Sequence, residues 1–349
     1  MHTRTHLLAT SLLLAASGAS LHAQSAERFT VAGDRIAIWN IAGRATIEPT
    51  TGNEVVVEVT RGGEDGARLT VESTNGRLVV KYPSRGIQYR SGRDWNWNLT
   101  LSVLEDGTFS GDYSDESDGR AVRVSSRTGE FEGHADLRIL VPSGRRVQVN
   151  LGVGEIDATN VDGDLELRTR VSSVRAIGSK GRLAARTGSG RVIVERSEAE
   201  VQASTGSGSI ELRNITGREV RASTGSGSIE GADITTDRFD ANTGSGGMRI
   251  DDLSARDLRA SAGSGAIRLT LTKVADANIR TGSGGVELTL PASANVEVDI
   301  STGSGGISSD FPVTMDEVRR RELRGRIGTG ADGRVRVSTG SGGARLYRR

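Results

Sequence analysis

One four-residue motif, Thr-Gly-Ser-Gly, recurs along this chain at a nearly constant spacing. If Ala-Gly-Ser-Gly from Ala262 is counted as a copy, neighbouring copies start 18, 19, 19, 19, 19 and 21 residues apart, and the last step spans 37 residues. Such a period predicts a solenoid, in which each repeat forms one coil and stacks on its neighbours. The motif residues singled out as corners of the coils are Thr187, Gly188, Thr205, Gly206, Thr224, Gly225, Thr243, Gly244, Gly263, Thr281, Gly282, Thr302, Gly303, Thr339 and Gly340.

The segments that flank the motif alternate between apolar and polar residues, which is typical of β-strands with one buried face. In the repeat that begins at Thr205, Ile210 and Leu212 alternate with polar residues. Val220 and Ala222 do so again further along. By the same alternation the motif threonine points inward, where stacked threonines can hydrogen-bond along the ladder. We expect the glycines to provide positive φ and close backbone approach at a corner, and the serine to bond nearby backbone groups.

The composition favours a narrow core. The 349 residues include 47 glycines but only three tryptophans, four tyrosines and five phenylalanines, so Val, Ile, Leu, Ala and Thr must fill the interior. Parallel crossover connections are almost always right-handed. We therefore predict an all-β fold, a right-handed parallel β-helix (β-solenoid) with about 18–21 residues per coil.

The first residues read as a targeting segment. A weakly positive start is followed by the short apolar run Leu7–Ala16 and by small residues that suggest cleavage after Ala23. Residues 1–23 are therefore predicted to be a signal peptide, and no later segment is long and apolar enough to cross a membrane. The expected location is outside the cytoplasm, either periplasmic or at the cell surface or extracellular.

The remaining chain divides into two parts. Residues 24–134 are expected to form irregular β rungs, interrupted at 82–120 by an insertion rich in aromatic and acidic residues. Residues 135–349 carry the regular repeats and a C-terminal cap. Within that cap Met315–Arg324 is charged and compatible with a helix across the end of the stack, and a solvated loop is the alternative.

The charge balance and the scarcity of cysteine and histidine argue against several classes of function. Basic and acidic residues number 45 and 44, a balance that argues against nucleic-acid binding. The absence of cysteine excludes disulfides, thiol catalysis and cysteine metal sites. His134 is the single histidine after residue 23, too few for a zinc centre or a Ser-His-Asp triad. No catalytic, cofactor-binding or metal-binding residue is predicted, and no cofactor.

A few residues carry weaker hypotheses. Asp233 and Asp252 occupy equivalent places in successive repeats, beside Asp251, and paired carboxylates of this kind could cleave a polysaccharide. Solvated turns are the alternative reading, because aspartate is common there. Trp95 and Trp97 are possible ligand contacts in the insertion. The acidic run 112–118 could bind calcium, but it lacks the ligand spacing of a calcium loop.

Some of these features resemble a known family. Strands that end at Pro142 and Pro291, and serial units of the form T-G-S-G-x-I/V, are similar to a bacterial domain family of unknown function labelled "putative adhesin", related to autotransporter-adhesin-like head domains. Ile327–Gly330 and Val335–Gly342 resemble its C-terminal end, and the resemblance covers about Arg35–Leu346. It implies a β-helical solenoid at the cell envelope, with no enzyme activity and no cofactor.

Together the residues and the resemblance favour a non-enzymatic exported β-solenoid that acts as an adhesin or a cell-envelope scaffold. The expected partners are an envelope glycan or another envelope protein, and not a nucleic acid. A polysaccharide lyase or hydrolase built on a β-helix is the alternative.

Overall fold

The fold is all-β. The computed structural model describes residues 26–90, 97–109, 119–319 and 321–349, and the only helix among them is the 3-10 turn Gly66–Arg68. The strands are β1 (Glu27–Val31), β2 (Arg35–Ala42), β3 (Ala45–Thr50), β4 (Val55–Gly62), β5 (Thr70–Thr74), β6 (Arg77–Lys81), β7 (Gly86–Gln88), β8 (Asn98–Val103), β9 (Arg120–Ser125), β10 (Phe131–Glu132), β11 (His134–Pro142), β12 (Arg145–Val153), β13 (Ile156–Thr159), β14 (Asp162–Val171), β15 (Val174–Ile177), β16 (Lys180–Ser189), β17 (Val192–Thr205), β18 (Ile210–Thr224), β19 (Ile229–Thr243), β20 (Met248–Ala262), β21 (Ile267–Thr281), β22 (Val286–Leu290), β23 (Val296–Thr302), β24 (Ile307–Ser309), β25 (Thr314–Arg319), β26 (Glu322–Ala331), β27 (Arg334–Thr339) and β28 (Ala344–Arg348).

The regular part is a solenoid-like stack of parallel strands. Ile210 lies opposite Ile229, and Ile229 lies opposite Met248, so each coil advances by 19 residues in this part of the chain. The same ladder joins β14, β16, β17, β18, β19, β20 and β21 in order. Like residues therefore stack on like along the axis, and the aliphatic columns are almost completely buried. The right-handed sense of the coils stays a prediction.

Each regular coil turns sharply at a second corner that carries no Thr-Gly-Ser-Gly. One residue per coil adopts a left-handed backbone there, as Asn214 does with φ of 52°. This conformation is uncommon outside glycine but is tolerated best by asparagine and aspartate. The column consists of Asn160, Gly178, Arg196, Asn214, Asp233 and Asp252.

The N-terminal end of the stack is closed by antiparallel strands. β2 and β3 pair in parallel with β12 and β13, as a further coil would. Beyond them β4 runs antiparallel to β11, and β1 runs antiparallel to β4. β5 and β6 form an antiparallel hairpin.

β7 and β8 of the insertion join β9 and β10, which follow it in the chain, in a separate sheet of the order β10-β7-β9-β8. Tyr82 anchors the beginning of the insertion, because the buried hydroxyl lies 2.7 Å from Asn40 Oδ1 and 2.8 Å from the carbonyl oxygen of Ala42. Burial raises the pKa of Tyr82 far above its ordinary value, so it acts as a neutral structural group. Trp97 is only 8% exposed and belongs to the core. The prediction that it contacts a ligand is therefore wrong. Trp95 and the acidic run fall outside the described residues.

The C-terminal end departs from simple serial stacking. β27 lies between β21 and β23 and is paired in parallel with both, while β28 lies between β22 and β24. The last coil in sequence is therefore the next-to-last rung in space. β25 and β26 form an antiparallel hairpin on the far side of β23. The expectation of a helix or loop over Met315–Arg324 is wrong, because β23 offers this segment an unpaired backbone edge.

Candidate functional site

The motif threonines are internal, and those from Thr187 to Thr281 join adjacent coils. All seven are between 1 and 6% exposed. The hydroxyl of Thr224 donates to the carbonyl oxygen of Gly208 in the preceding coil at 2.9 Å and accepts from the N–H of Gly227 in its own corner at 3.1 Å. The threonines thus bond to backbone groups rather than to one another. The same pair of bonds is made by Thr205, Thr243 and Thr281.

The motif glycines are required by close packing of the backbone. A Cβ built on Gly208 would lie 1.6 Å from the carbonyl oxygen of Gly190, and one on Gly227 would lie 1.8 Å from that of Gly208. No motif glycine has a positive φ, so the expectation that these residues provide left-handed backbone is wrong. The left-handed residues lie at the other corner, in the column that includes Asn214.

The carboxylates considered for catalysis occupy ordinary surface positions. Asp233 is exposed at the left-handed corner. Asp252 is at the same corner and forms an ion pair with Arg349. Asp251 pairs with Arg249 at 3.1 Å and accepts a hydrogen bond from Thr270. This geometry matches the solvated-turn reading of the three residues.

A charged cleft lies elsewhere on the stack, beside a β-bulge between β17 and β18. The bulge appears as a shift in register between Glu198 and Val201. The cleft has a volume of about 630 Å³. Its lining consists of four arginines and four carboxylates: Arg182, Glu200, Arg218, Glu219, Asp237, Arg238, Arg256 and Asp257.

The charges in this cleft alternate in sign from coil to coil. Arg238 reaches Glu219 at 3.8 Å and Asp257 at 3.5 Å, one on each neighbouring coil. Arg256 reaches Asp237 at 3.2 Å. These ion pairs are partly exposed, so each is worth less than about 1 kcal/mol to stability. This site was not predicted from the sequence, although Arg218, Asp237 and Arg256 show the sign alternation there at a 19-residue period.

Arg218 differs from the other arginines of the cleft. Arg182, Arg238 and Arg256 each pair with a carboxylate. The exposed guanidinium of Arg218 makes no ion pair with any described residue. A planar guanidinium binds carboxylate or phosphate in a bidentate manner, so this side chain is available to an acidic ligand group.

A second polar cluster holds the insertion against the stack. The ring of Tyr89 lies 5.3 Å from that of His134, the single histidine beyond residue 23. Burial, reinforced by the charge of Asp136, raises the pKa of Tyr89 to about 12. Burial, with help from the charge of Glu155, also raises the pKa of Asp157. These shifts follow from packing at the junction and fit a structural role for the cluster.

Metal centres and membrane-spanning helices are both absent from the part of the chain that the structure describes. The described residues contain no group of three or more His, Cys, Asp or Glu side chains arranged to hold a metal ion. No helix within the described ranges is long and apolar enough to span a membrane.

Comparisons with known proteins give one family. The profile of the family described as Toastrack DUF4097 matches residues 34–346. No curated protein matches the sequence. A crystal structure called a putative cell adhesion protein, from Clostridium sporogenes ATCC 15579, aligns over 93% of this chain and 99% of its own, at 9% identity and a TM-score of 0.19. A TM-score that low does not support any inference about this chain.

Proposed function

The chain belongs to the Toastrack DUF4097 family, whose function is unknown, and we propose that it is a non-enzymatic, exported binding module. In this role it is an adhesin or a cell-envelope scaffold, and the charged cleft is its binding surface. The ligand class is an envelope glycan that carries acidic groups. Another envelope protein with a charged surface is the competing partner.

One observation carries the proposal: an unpaired guanidinium lies within a cleft of charged side chains. Arg218 shares the cleft with seven charged residues, and the three other arginines are neutralised by carboxylates on adjacent coils. An acidic sugar could pair with Arg218, while its hydroxyls bond to the surrounding carboxylates. Because the cleft is open to solvent, such binding should weaken as salt screens the charges.

The rigid stack suits a display role. Motif hydroxyls bridge neighbouring coils, and glycines allow the coils to approach closely, so the cleft side chains stand on a fixed ladder. A site on regular strands is positioned more exactly than one on a loop. Export follows in this proposal from the apolar N-terminal run, and fractionation of cells that express the full chain tests it directly.

Binding screens of the full chain against glycans and envelope preparations, repeated at several salt concentrations, test the proposal. Arg218→Gln should abolish salt-sensitive binding. Arg191→Gln is the matched control, since Arg191 is also exposed and makes no ion pair with any described residue, but it lies outside the cleft. The absence of any ligand at low salt, or equal loss of binding in both variants, would contradict the proposal.

A further inference from the structure

The segment Arg334–Arg349 fills a gap between two rungs that precede it in sequence. Thr339 lies opposite Thr281 on one side and opposite Thr302 on the other. The N–H of Gly340 donates to the carbonyl oxygen of Thr281 at 3.1 Å, and the N–H of Gly303 donates to that of Thr339 at 2.9 Å. Both backbone edges of the segment are therefore satisfied by other parts of the chain.

Side chains also hold the segment in place. Val335, Val337 and Leu346 are buried in the core columns. At its two ends Arg334 forms an ion pair with Glu297, and Arg349 forms one with Asp252. The contacts named here are all made to residues 252–307, and none involves the connection that delivers the segment.

That connection is built to change direction. Gly328, Gly330 and Gly333 all have positive φ, which glycine adopts most readily. The connection is hydrogen-bonded to Asn295 and Glu297 at the start of β23. Redirecting the segment toward another molecule releases those bonds, while the strand pairs of β27 and β28 re-form in the partner. Exchange of identical elements between copies preserves the contacts of the exchanged segment outside its connection and is a low-cost route to a dimer.

We propose that the gap between β21–β22 and β23–β24 is a strand-acceptor site, and that its intermolecular ligand is the β27–β28 segment of a second copy of this chain. Recognition combines strand addition along both edges with pockets for alternate side chains. The ligand class is an extended strand of the form Val-x-Val-x-Thr-Gly-Ser-Gly. The last glycine is essential, because a Cβ on Gly342 would lie 2.1 Å from the carbonyl oxygen of Gly284. This proposal does not rest on the proposed adhesive function.

The absence of cysteine makes the proposal directly testable by cross-linking. The hydroxyls of Ser301 and Ser338 lie 3.4 Å apart across the gap, close enough for a disulfide after substitution. The single variants Ser301→Cys and Ser338→Cys, one carrying a mass tag, are mixed, unfolded and refolded together at high concentration, then oxidised. We expect a shift on a non-reducing gel from monomer to a mixed disulfide dimer.

Two controls make each outcome decisive. In the first control, the Ser223→Cys variant takes the place of the Ser301→Cys variant in the mixture. Ser223 is exposed and lies in the same outward column several coils away, so disulfides formed with it measure random collision. The double variant Ser301→Cys/Ser338→Cys should close its disulfide within one chain and then remain monomeric on concentration. Mixed dimers no more abundant than in the collision control would overturn strand exchange. Failure of the double variant to close would show that the segment does not occupy the gap.

Discussion

Position 262 is the one place where the regular series of motif threonines is broken, and restoring the hydroxyl there should strengthen the stack. In neighbouring coils Thr243 and Thr281 each bridge two backbone groups, at distances between 2.9 and 3.2 Å. Ala262 occupies the equivalent inward position and is 6% exposed. Ala262→Thr should therefore donate to the carbonyl oxygen of Gly246 and accept from the N–H of Gly265.

The magnitude follows from the number of bonds. Two hydrogen bonds that form within the protein, each with a net value of about 0.5–1.5 kcal/mol, predict a gain of about 1–3 kcal/mol over a variant of the same shape without the hydroxyl. Ala262→Val is that variant, because valine and threonine have nearly the same volume. The reverse change, Thr243→Val, should cost about 1–3 kcal/mol, because it leaves a buried donor and acceptor unsatisfied.

Denaturant unfolding of the three variants and the parent chain measures the global effect. Hydrogen exchange of the Gly265 amide measures the local one, and about 1.4 kcal/mol of added stability would slow exchange through opening by roughly tenfold. If Ala262→Val were as stable as Ala262→Thr and protected the Gly265 amide equally well, the bridging role of the hydroxyl would be refuted.

Further predictions concern single positions in the stack. Gly208→Ala should destabilise the protein by about 3 kcal/mol or more, since its Cβ would lie 1.6 Å from a backbone oxygen. Gly306 has open space around it, so Gly306→Ala should stay within about 0.5 kcal/mol of the parent in the same denaturation assay. Ser179→Ala should stabilise the chain by about 1 kcal/mol in calorimetry, because the buried hydroxyl has no hydrogen-bond partner; equal or lower stability would count against this. Burial raises the pKa of Asp157 in the folded chain, so its charged form opposes folding above that pKa and the penalty disappears below the ordinary aspartate pKa. Asp157→Asn should therefore be more stable than the parent at neutral pH, with the difference shrinking in unfolding curves recorded toward pH 4, about the ordinary pKa of the group; a difference that grows on acidification would contradict this sign.

Most of the coil architecture could be predicted from the sequence. The period fixes which residues stack, and alternation from Ala222 places Thr224 inward, where the structure has it. The reason for the glycines was only half predictable. The glycines are needed because neighbouring coils approach closely, which becomes visible only in the assembled stack. The Thr-Gly-Ser-Gly sequence by itself also suggests positive φ, which the motif glycines do not adopt.

The order of the coils at the C-terminal end could not be predicted. The motif at Thr339 has the same residues as the motif at Thr302, so the sequence does not show which of the two lies next to Thr281. The charged run from Met315 looks compatible with a helix, but it pairs as a strand because a backbone edge is available beside it. For the charged cleft, the sequence shows the sign alternation that begins at Arg218, but it does not show the β-bulge that lies beside the cleft.

The position of β27 and β28 also has a consequence for how the protein is made. Chains fold during synthesis largely from the N-terminus, and a serial solenoid can extend one coil at a time. Here β23 and β24 are synthesised before the rung that separates them from β21 and β22. Two strand edges at this end of the stack therefore stay unpaired until residues 334–349 have been synthesised. Termination before residue 334 would leave those edges open, so completion of this part of the stack depends on synthesis of residues 334–349.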